Sequence, residues 1–435
     1  MAAELYIEES LKNLKIKYQE GRENYVEKLL DYYEGNNTGQ YIEKLFDSEA
    51  FNQLPPYEAN ITKRFINKAS RIYTIGAKRN VSNKYDQLTA LKDVRMKHIE
   101  RMTRLIGTLA TRVVWNGNQE SPMFDYRPVY YFYPFFDSDP FVPTALSYPL
   151  FNFVDDATRV DEMQYMIWDK ESWVIVDSDG NILQNGVHSY GRLPFIFTHR
   201  EPQTDQFFVA GANDLINANE HINISFTEMK LGQRFQSFGQ PVVTGADMSG
   251  IQRVGVDTTL ELPEGATYDI VAPKGDSKKI IESIKFEVEM VAQNNHMWVQ
   301  WSQTGGEVPS GISLMIKDLE YHRDFKDDVS IWKMYEYEMY EVEKAIAKSN
   351  NVSLPAKFGI DFNEPEYPKT VQDQILWDNH RLQLNLVTEA ALLVEYNKDL
   401  TLQEAQTLID QNKEKNKKLS ESQEVSTGVE EAPQL

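Results

Sequence analysis

The chain of 435 residues contains no cysteine. Disulfide bonds, zinc sites built from thiolates and cysteine nucleophiles are therefore excluded. Long apolar runs are also missing, since no stretch approaches the roughly 20 residues that a membrane span needs. Met1 to Tyr18 alternates charged and apolar residues at helical spacing and lacks the apolar core of a signal peptide. We therefore expect a protein without a membrane partner, and the lack of cysteine fits assembly inside a cell.

Motifs that carry catalysis are missing as well. Gly305-Gly306 is not followed by the Gly-Lys-Ser/Thr of a phosphate-binding loop, and no Gly-x-Ser-x-Gly nucleophile motif occurs. Asp177 to Gly180 begins like a calcium loop, but the twelfth residue is His188 instead of an acidic ligand, which favours a β-turn. The seven histidines show no pair at metal-ligand spacing: His98, His188, His199, His221, His296, His322 and His380. We expect no metal, no cofactor and no enzymatic activity.

One group of carboxylates lies at helical spacing in the second half of the chain: Glu320, Asp324, Asp327 and Asp328. Such a group could bind a metal or act in acid–base catalysis. Arg323 and Lys326 are interleaved with these acids, as they are on helix surfaces that carry ion pairs. We therefore interpret the group as a solvated helix face.

The charge balance is strongly acidic, with 45 Lys and Arg against 66 Asp and Glu and a net charge of −21. Proteins that grip DNA neutralise phosphates with basic patches and gain affinity from counterion release. This composition argues against tight gripping. It leaves open an acidic protein without a nucleic-acid partner, or a channel in which DNA slides without sticking.

Apolar periodicity predicts a predominantly helical α+β protein. The first third is expected to be helical, ending with a helix over Tyr85 to Val114 whose buried stripe includes Leu109 and Val113. Residues 123–200 are rich in Tyr, Phe and Val and are expected to form a small β domain. In that domain, Met163 to Trp168 and Ser172 to Val176 are expected to be neighbouring strands.

The second half is predicted to alternate long helices with short β segments. Leu215, Ile222, Phe226 and Met229 lie on one face of the first of these helices. The predicted elements are a helix over 210–238, β segments at 242–244, 259–262 and 268–271, a helix over 277–301, a polar loop over 302–311, a helix over 312–348, a strand at 358–362, helices over 371–393 and 402–419, and a disordered tail over 420–435.

Three segments carry a resemblance to a known family. Gly211 to Gly245 resembles the stem helix of tailed-bacteriophage portal proteins, where it runs into the clip. Gly306 to Leu314 is similar to the family's tunnel loop and the start of its tunnel helix. Ile360 to Lys369, with the helices that follow it, is similar to the family's C-terminal region.

The resemblance implies a portal architecture over nearly the whole chain. Its parts would be a wing at 1–210 that includes the β-rich part 123–200, a first stem helix at 211–238, a β-rich clip at 239–276, a second stem helix at 277–301, a tunnel loop at 302–311, a tunnel helix returning to the wing at 312–350, a helical crown at 351–419 and a tail at 420–435.

The function implied by the resemblance is a homo-oligomeric ring, typically a dodecamer, at one capsid vertex of the virion. Double-stranded DNA would pass through it without sequence preference during packaging and ejection. The implied partners are the terminase large subunit, a head–tail adaptor, and the major capsid and scaffolding proteins, with assembly in the host cytoplasm. Two alternatives stay open: a minor-capsid or adaptor-like structural protein without a DNA channel, and an unrecognised enzyme.

Two sets of residues are the candidate site. The tunnel loop implied by the resemblance would face the channel and consists of Gln303, Thr304, Gly305, Gly306, Glu307, Val308, Pro309, Ser310 and Gly311. Transient phosphate contacts are expected from three lysines of the second stem helix: Lys278, Lys279 and Lys285.

Overall fold

A computed structural model describes residues 2–20, 22–45, 55–74, 76–117, 122–150, 163–237, 240–244, 265, 267–271, 277–295, 297, 319–363, 371–397 and 400–427. The chain divides into a first unit of Met1–Gln303 and Asp318–Pro365, and a second unit of Thr304–Lys317 and Glu366–Leu435. The described residues combine helices and strands, with more helix than strand, which confirms the predicted mixture of the two.

Short helices form the start of the first unit. After a 3-10 turn at Ala2–Tyr6, they are α1 (Ile7–Glu20), α2 (Arg22–Glu34), α3 (Thr38–Glu43), α4 (Thr62–Ala69), α5 (Asn83–Leu88) and α6 (Lys92–Ile106). The Ser82 side chain caps α5 by accepting the backbone N–H of Tyr85 at 3.3 Å, which satisfies a donor that the first turn leaves open.

The single helix predicted over Tyr85 to Val114 is wrong in two places. It is interrupted between α5 and α6, and beyond Ile106 the chain turns into strand β2 (Thr108–Asn116). Gly107 makes the turn with a φ of +92°, and a Cβ at this position would lie 2.2 Å from the Val209 carbonyl oxygen. Only glycine fits such a position. Leu109 and Val113 are buried as expected, but on a strand.

Two antiparallel sheets follow. The strands are β3 (Met123–Val129), β4 (Tyr133–Phe136), β5 (Pro143–Leu150), β6 (Gln164–Trp168), β7 (Ser172–Val176), β8 (Ile182–Val187) and β9 (Phe195–His199). One sheet has the order β3-β2-β9 and the other is the meander β4-β5-β6-β7-β8. The predicted pairing of β6 with β7 is confirmed, with Trp168 opposite Trp173. The turn after β7 is also confirmed, since the Asp177 carboxylate accepts the backbone N–H groups of Asp179 and Asn181.

A pair of helices joined by a β-hairpin comes next: α7 (Asn213–Ser237), β10 (Gln240–Thr244), β11 (Thr267–Val271) and α8 (Ser277–Asn294). The two strands pair antiparallel, and α7 packs against α8. The second helix was predicted to reach residue 301, but it ends at Asn294. The Asn295 side chain donates to the Val291 carbonyl at 2.9 Å, and the Met297 N–H donates to the Ala292 carbonyl at 2.7 Å. These two bonds satisfy carbonyls of the last helical turn, which have no partner within the helix. The segment predicted as a strand at 259–262 lies outside the described residues.

The longest helix of the first unit is α9 (Leu319–Ser349), and residues 312–318 of its predicted range lie outside the described part. It ends as expected at the Asn pair, where Asn351 adopts a φ of +60°. Strand β12 (Ile360–Phe362) then pairs antiparallel with β1 (Ala77–Arg79). This pairing joins segments about 280 residues apart and was not predicted from periodicity, which reports only local order.

The main core of the first unit is continuous from its helical start to α9. It contains buried side chains from helices and strands alike, among them Tyr85, Ile99, Leu105, Phe124, Ile222, Val288 and Met339. Because α7, α8 and α9 share this core with α6 and β2, the second half of the unit is fixed on the first.

The second unit is helical, with α10 (Val371–Gln383), α11 (Glu389–Tyr396) and α12 (Leu402–Thr427). A single helix over 371–393 was predicted, but Asn385 has a φ of +53° and Thr388 caps a new helix by accepting the Ala391 N–H at 3.2 Å. The disordered tail was predicted from residue 420, whereas α12 continues to Thr427. Its helix-favouring Glu, Lys and Gln residues and the 2.8 Å pair Lys418–Glu414 account for the extension. Residues 428–435 lie outside the described part.

Candidate functional site

Helix α7 is held in place by polar side chains that recur every four residues. Asn219, Asn223 and Thr227 are buried and face the segment 57–62, which leads into α4. The Asn219 Oδ1 atom accepts the backbone N–H of Thr62 at 3.1 Å. Asn223 Oδ1 and Thr227 Oγ1 each accept another backbone N–H of the segment, at 2.8 and 2.9 Å. These bonds satisfy backbone N–H groups before α4 and in its first turn, which have no partner within the helix. The Asn-x-x-x-Asn-x-x-x-Thr spacing is a signal that sequence reasoning missed.

A charged contact fixes α7 to α2. Lys28 Nζ lies 3.1 Å from the Glu220 carboxylate, and the Tyr32 hydroxyl donates to the same group at 3.2 Å. Burial raises the pKa of Tyr32, and the nearby Glu220 carboxylate raises it further. The tyrosine is therefore a hydrogen-bond donor at any ordinary pH, and it holds the helix at a defined rotation.

Helix α8 covers α7 with a narrow apolar stripe. Ile284, Val288, Val291 and Ala292 are its buried residues. His221 in the first half of α7 lies 3.9 Å from Glu287 in the second half of α8, as expected for two antiparallel helices. The predicted first and second stem helices thus form one helical hairpin with the β10–β11 hairpin at its end.

The face of α8 that points away from α7 is exposed and is neither uniformly polar nor uniformly apolar. Phe286 is 63% exposed and Met290 is 46% exposed. The three lysines predicted to touch phosphate lie on the exposed part of the same helix: Lys278, Lys279 and Lys285. The first turn of α8 contains no acidic residue, although helix N-termini favour carboxylates and disfavour cations. Two lysines at that end reinforce the positive end of the helix dipole.

The predicted tunnel loop, from Gln303 to Gly311, lies outside the described residues. Of the two predicted sets of site residues, the structure therefore describes only the three lysines, which lie together on α8.

The first half of α9 is tied to the helical start of the unit by ion pairs. The Asp328 carboxylate pairs with Arg104 and, at 3.3 Å, with Arg71, while Asp324 lies 3.6 Å from Arg71. Arg71 is buried. The interpretation of these carboxylates as a solvated face is therefore wrong for Asp324 and Asp328, because periodicity does not reveal the basic residues of distant helices.

A second, fully buried charge cluster holds the other half of α9. Lys92 Nζ lies 3.0 Å from Glu336 and 2.8 Å from Glu343, and all three side chains have no solvent exposure. Arg79 adds a 2.6 Å bond to Glu336. Burial by itself would raise the pKa of Glu336, but the Lys92 and Arg79 cations outweigh it and lower the pKa to about 2. Glu336 is therefore ionised and paired.

Three tyrosines complete this cluster. Tyr73 donates to Glu336 at 2.9 Å, and Tyr85 and Tyr126 donate to Glu343 at 2.7 and 2.6 Å. Burial raises the pKa of each hydroxyl, and the carboxylate next to it adds to the shift. With its charges balanced and closed to solvent, the cluster fits an anchor better than a reaction centre. The signal in the sequence was that Glu336 and Glu343, seven residues apart, share one helix face with the apolar Trp332, Met339 and Ile346.

Within the described ranges, no group of three or more His, Asp or Glu side chains could hold a metal ion. Of the histidines, His199 is buried with Nδ1 3.0 Å from Thr108 Oγ1. In the same part of the chain, no helix is long and apolar enough to cross a bilayer.

No protein-family model matches the chain, and no curated protein matches it in sequence.

Proposed function

We propose that this chain is one subunit of a portal, a closed ring that conducts double-stranded DNA at one vertex of a tailed-bacteriophage capsid. The antiparallel pair α7–α8, ending in the β10–β11 hairpin and followed along the chain by the 31-residue helix α9, carries the proposal. That order agrees with stem, clip, stem and tunnel helix in the family that the sequence resembles. The two ion clusters tie both halves of α9 to the helical start of the first unit, which supports the assignment of α9 as a tunnel helix held in a defined position.

The exposed apolar residues of α8 support a ring. Phe286 and Met290 lie four residues apart on the side that α7 leaves uncovered. In a head-to-tail ring the neighbouring subunit covers this face, and the same contact repeats until the ring closes. Aromatic and methionine side chains that are exposed in the single subunit are typical of residues that become buried at the centre of a protein interface.

The lysines of α8 support weak contact with DNA. Lys278 and Lys279 begin the helix, where its dipole also attracts anions. Three cations on a protein with a net charge of −21 can touch phosphates but cannot hold a duplex tightly. Such a balance suits a channel through which DNA has to move in both directions.

In this ring the clip docks the terminase large subunit during packaging and the head–tail adaptor afterwards. The wing contacts the major capsid and scaffolding proteins, and the assembled ring belongs to the virion.

Native mass spectrometry of the purified chain tests ring formation. We expect a closed homo-oligomer and expect Phe286→Asp to shift it towards monomers without lowering the melting temperature of the subunit, because the side chain is largely exposed. Val94→Asp, at a 73% exposed apolar residue of α6, is the matched control and should leave the ring intact. Monomers or dimers alone, at several salt and protein concentrations, would contradict the proposal.

Gel-shift titration at several salt concentrations tests the contact with DNA. We expect weak binding without sequence preference, with a salt dependence that becomes shallower by up to about one unit of slope for each of Lys278, Lys279 and Lys285 replaced by Gln. Lys230→Gln, at an exposed lysine of α7, should have no such effect. Tight, sequence-selective binding would contradict a channel in which DNA slides.

The proposed tunnel loop is tested in assembled particles. Replacing Gly305 and Gly306 by Val restricts backbone freedom in a polar loop. We expect ring formation to persist and the amount of packaged genome to fall. Normal packaging would remove the loop from the proposal, and loss of the ring would give it a structural role instead.

A further inference from the structure

Arg112 of strand β2 is a cation without a carboxylate partner among the described residues. Its guanidinium lies 4.5 Å from the ring centre of Trp168 and donates one bond to the Tyr148 hydroxyl at 3.1 Å. A weaker contact joins the same nitrogen to the Met166 sulfur at 3.6 Å. The remaining N–H groups have no acceptor among the described residues, although arginine has five of them in a planar fork.

The acid on the paired strand β3 is already engaged in other ion pairs. Arg127 lies directly opposite Arg112 across the β2–β3 ladder, where two like charges destabilise a sheet. Asp125 pairs with Arg127 at 3.2 Å and with Arg95 at 3.0 Å. Asp125 therefore pairs with two other arginines, and among the described residues Arg112 has no ion pair.

A pocket of about 190 Å3 opens beside Arg112. Trp168 lines it, is 4% exposed, and has an indole N–H with no hydrogen-bond partner among the described residues. Tyr190 also lines it, and its hydroxyl has no hydrogen bond in that part of the chain. Burial raises the pKa of Tyr190 while the nearby Arg112 lowers it, which indicates that the hydroxyl and the guanidinium are close. The lining includes these three side chains and no acidic residue.

The size of the pocket limits what it can hold. Sites for nucleotides, cofactors and other free ligands have volumes of roughly 300–1,000 Å3, so a pocket of about 190 Å3 accepts a group the size of one side chain. An N–H fork over an aromatic ring, with N–H groups that have no acceptor among the described residues, matches the two oxygens of a carboxylate.

We propose that this pocket is a binding site for a carboxylate, the Asp or Glu side chain of another protein chain, held by Arg112 over the Trp168 ring with Tyr190 as a further donor. The site lies on the β2 and β6 strands and does not depend on ring formation or on a DNA channel. Either proposal can therefore fail without affecting the other.

Titration of the full chain with N-acetylglutamate N-methylamide tests the site, with the glutamine analogue as the neutral control and ionic strength held constant. The readout is tryptophan fluorescence, and subtracting the response of Trp168→Phe isolates the signal of this indole from that of the other tryptophans. We expect a saturable change with the glutamate probe and none with its glutamine analogue.

The variants separate charge from geometry. Arg112→Gln should weaken binding of the glutamate probe about tenfold or more, and Arg112→Lys should weaken it less because the charge remains without the planar fork. Arg64→Gln is the matched control, since this arginine is exposed on α4 and does not line the pocket, and it should bind like the parent. Circular dichroism checks that each variant is folded, and Arg112→Lys keeps the test valid if Arg112→Gln does not fold.

Equal binding of the glutamine analogue, or unchanged binding by folded Arg112 variants, would overturn the proposal. Inorganic phosphate is the second probe. Saturable binding of phosphate without binding of the glutamate probe would also overturn it, because the site would then recognise phosphate and not an acidic side chain.

Discussion

Replacing Lys92 by methionine removes the central cation of the buried cluster on α9 while keeping a side chain of similar length. Lys92 contacts Glu336 at 3.0 Å and Glu343 at 2.8 Å with no solvent exposure. In the variant Glu336 keeps Arg79, whereas Glu343 keeps only the hydroxyls of Tyr85 and Tyr126. The damage therefore falls on Glu343, a buried carboxylate left without a cation.

Breaking a buried ion pair by removing one partner costs about 3–5 kcal/mol. An exposed ion pair contributes roughly 0–1 kcal/mol. Lys344 and Glu341 form such a pair on the same helix, at 2.5 Å and with 35% and 50% of their side chains exposed. Lys344→Met is therefore the matched control, and the two lysine variants should differ in the free energy of unfolding by about 3 kcal/mol.

Two measurements report this difference. Denaturant unfolding followed by circular dichroism should give a lower midpoint for Lys92→Met than for Lys344→Met, and hydrogen exchange should accelerate in peptides of α6 and α9. Adding Glu343→Gln to Lys92→Met should recover part of the loss, because the double variant no longer buries an unpaired charge. If both lysine variants unfold at the same midpoint with unchanged exchange in α6 and α9, the cluster is not the anchor of α9.

Three further changes have defined outcomes. Acidification should destabilise the first unit between about pH 4.5 and 2, because the pKa of Glu336 is lowered to about 2 on folding and its stabilising contribution is lost as the pH falls; a pH series of unfolding midpoints should be shallower for Glu336→Gln. Asn219→Ala removes the acceptor of two backbone N–H groups and should cost about 1–3 kcal/mol in thermal unfolding, whereas Asn217→Ala at an exposed position of α7 should cost less than about 0.5 kcal/mol. Gly232→Ala should raise stability by about 0.5–1 kcal/mol, because no described atom would lie within 4 Å of its Cβ, whereas Gly107→Ala should prevent normal folding of the first unit, which loss of the folded circular dichroism spectrum would show.

Apolar periodicity alone was enough to predict most of the long helices and strands. The helix over α7 and the strands β6 and β7 lie where the spacing of Leu215, Ile222 and Met229 and the clustering of Val, Ile and Trp put them. These patterns are local, and burial of one face follows directly from them. The same locality explains the failure at β2, where Leu109 and Val113 satisfy a helical stripe as well as a buried strand. Gly107 decides between the two, because only a residue without a Cβ fits against the carbonyl of Val209, which is distant in the sequence.

Charge partners were decided only by the tertiary structure. Four acids of one helix form buried or half-buried ion pairs: Glu336, Glu343, Asp324 and Asp328. Their partners are more than 200 residues away in the sequence, and no local pattern identifies them: Lys92, Arg71 and Arg104. The same holds for Arg112, whose lack of an acid depends on Asp125 being taken by two other arginines. The exposure of Lys278, Lys279 and Lys285 is a consequence of helical spacing, because a helix that buries one narrow stripe leaves its other residues in water. Local spacing therefore fixes which side of an element is buried, whereas ion pairs depend on which elements meet, and that is a property of the assembled core.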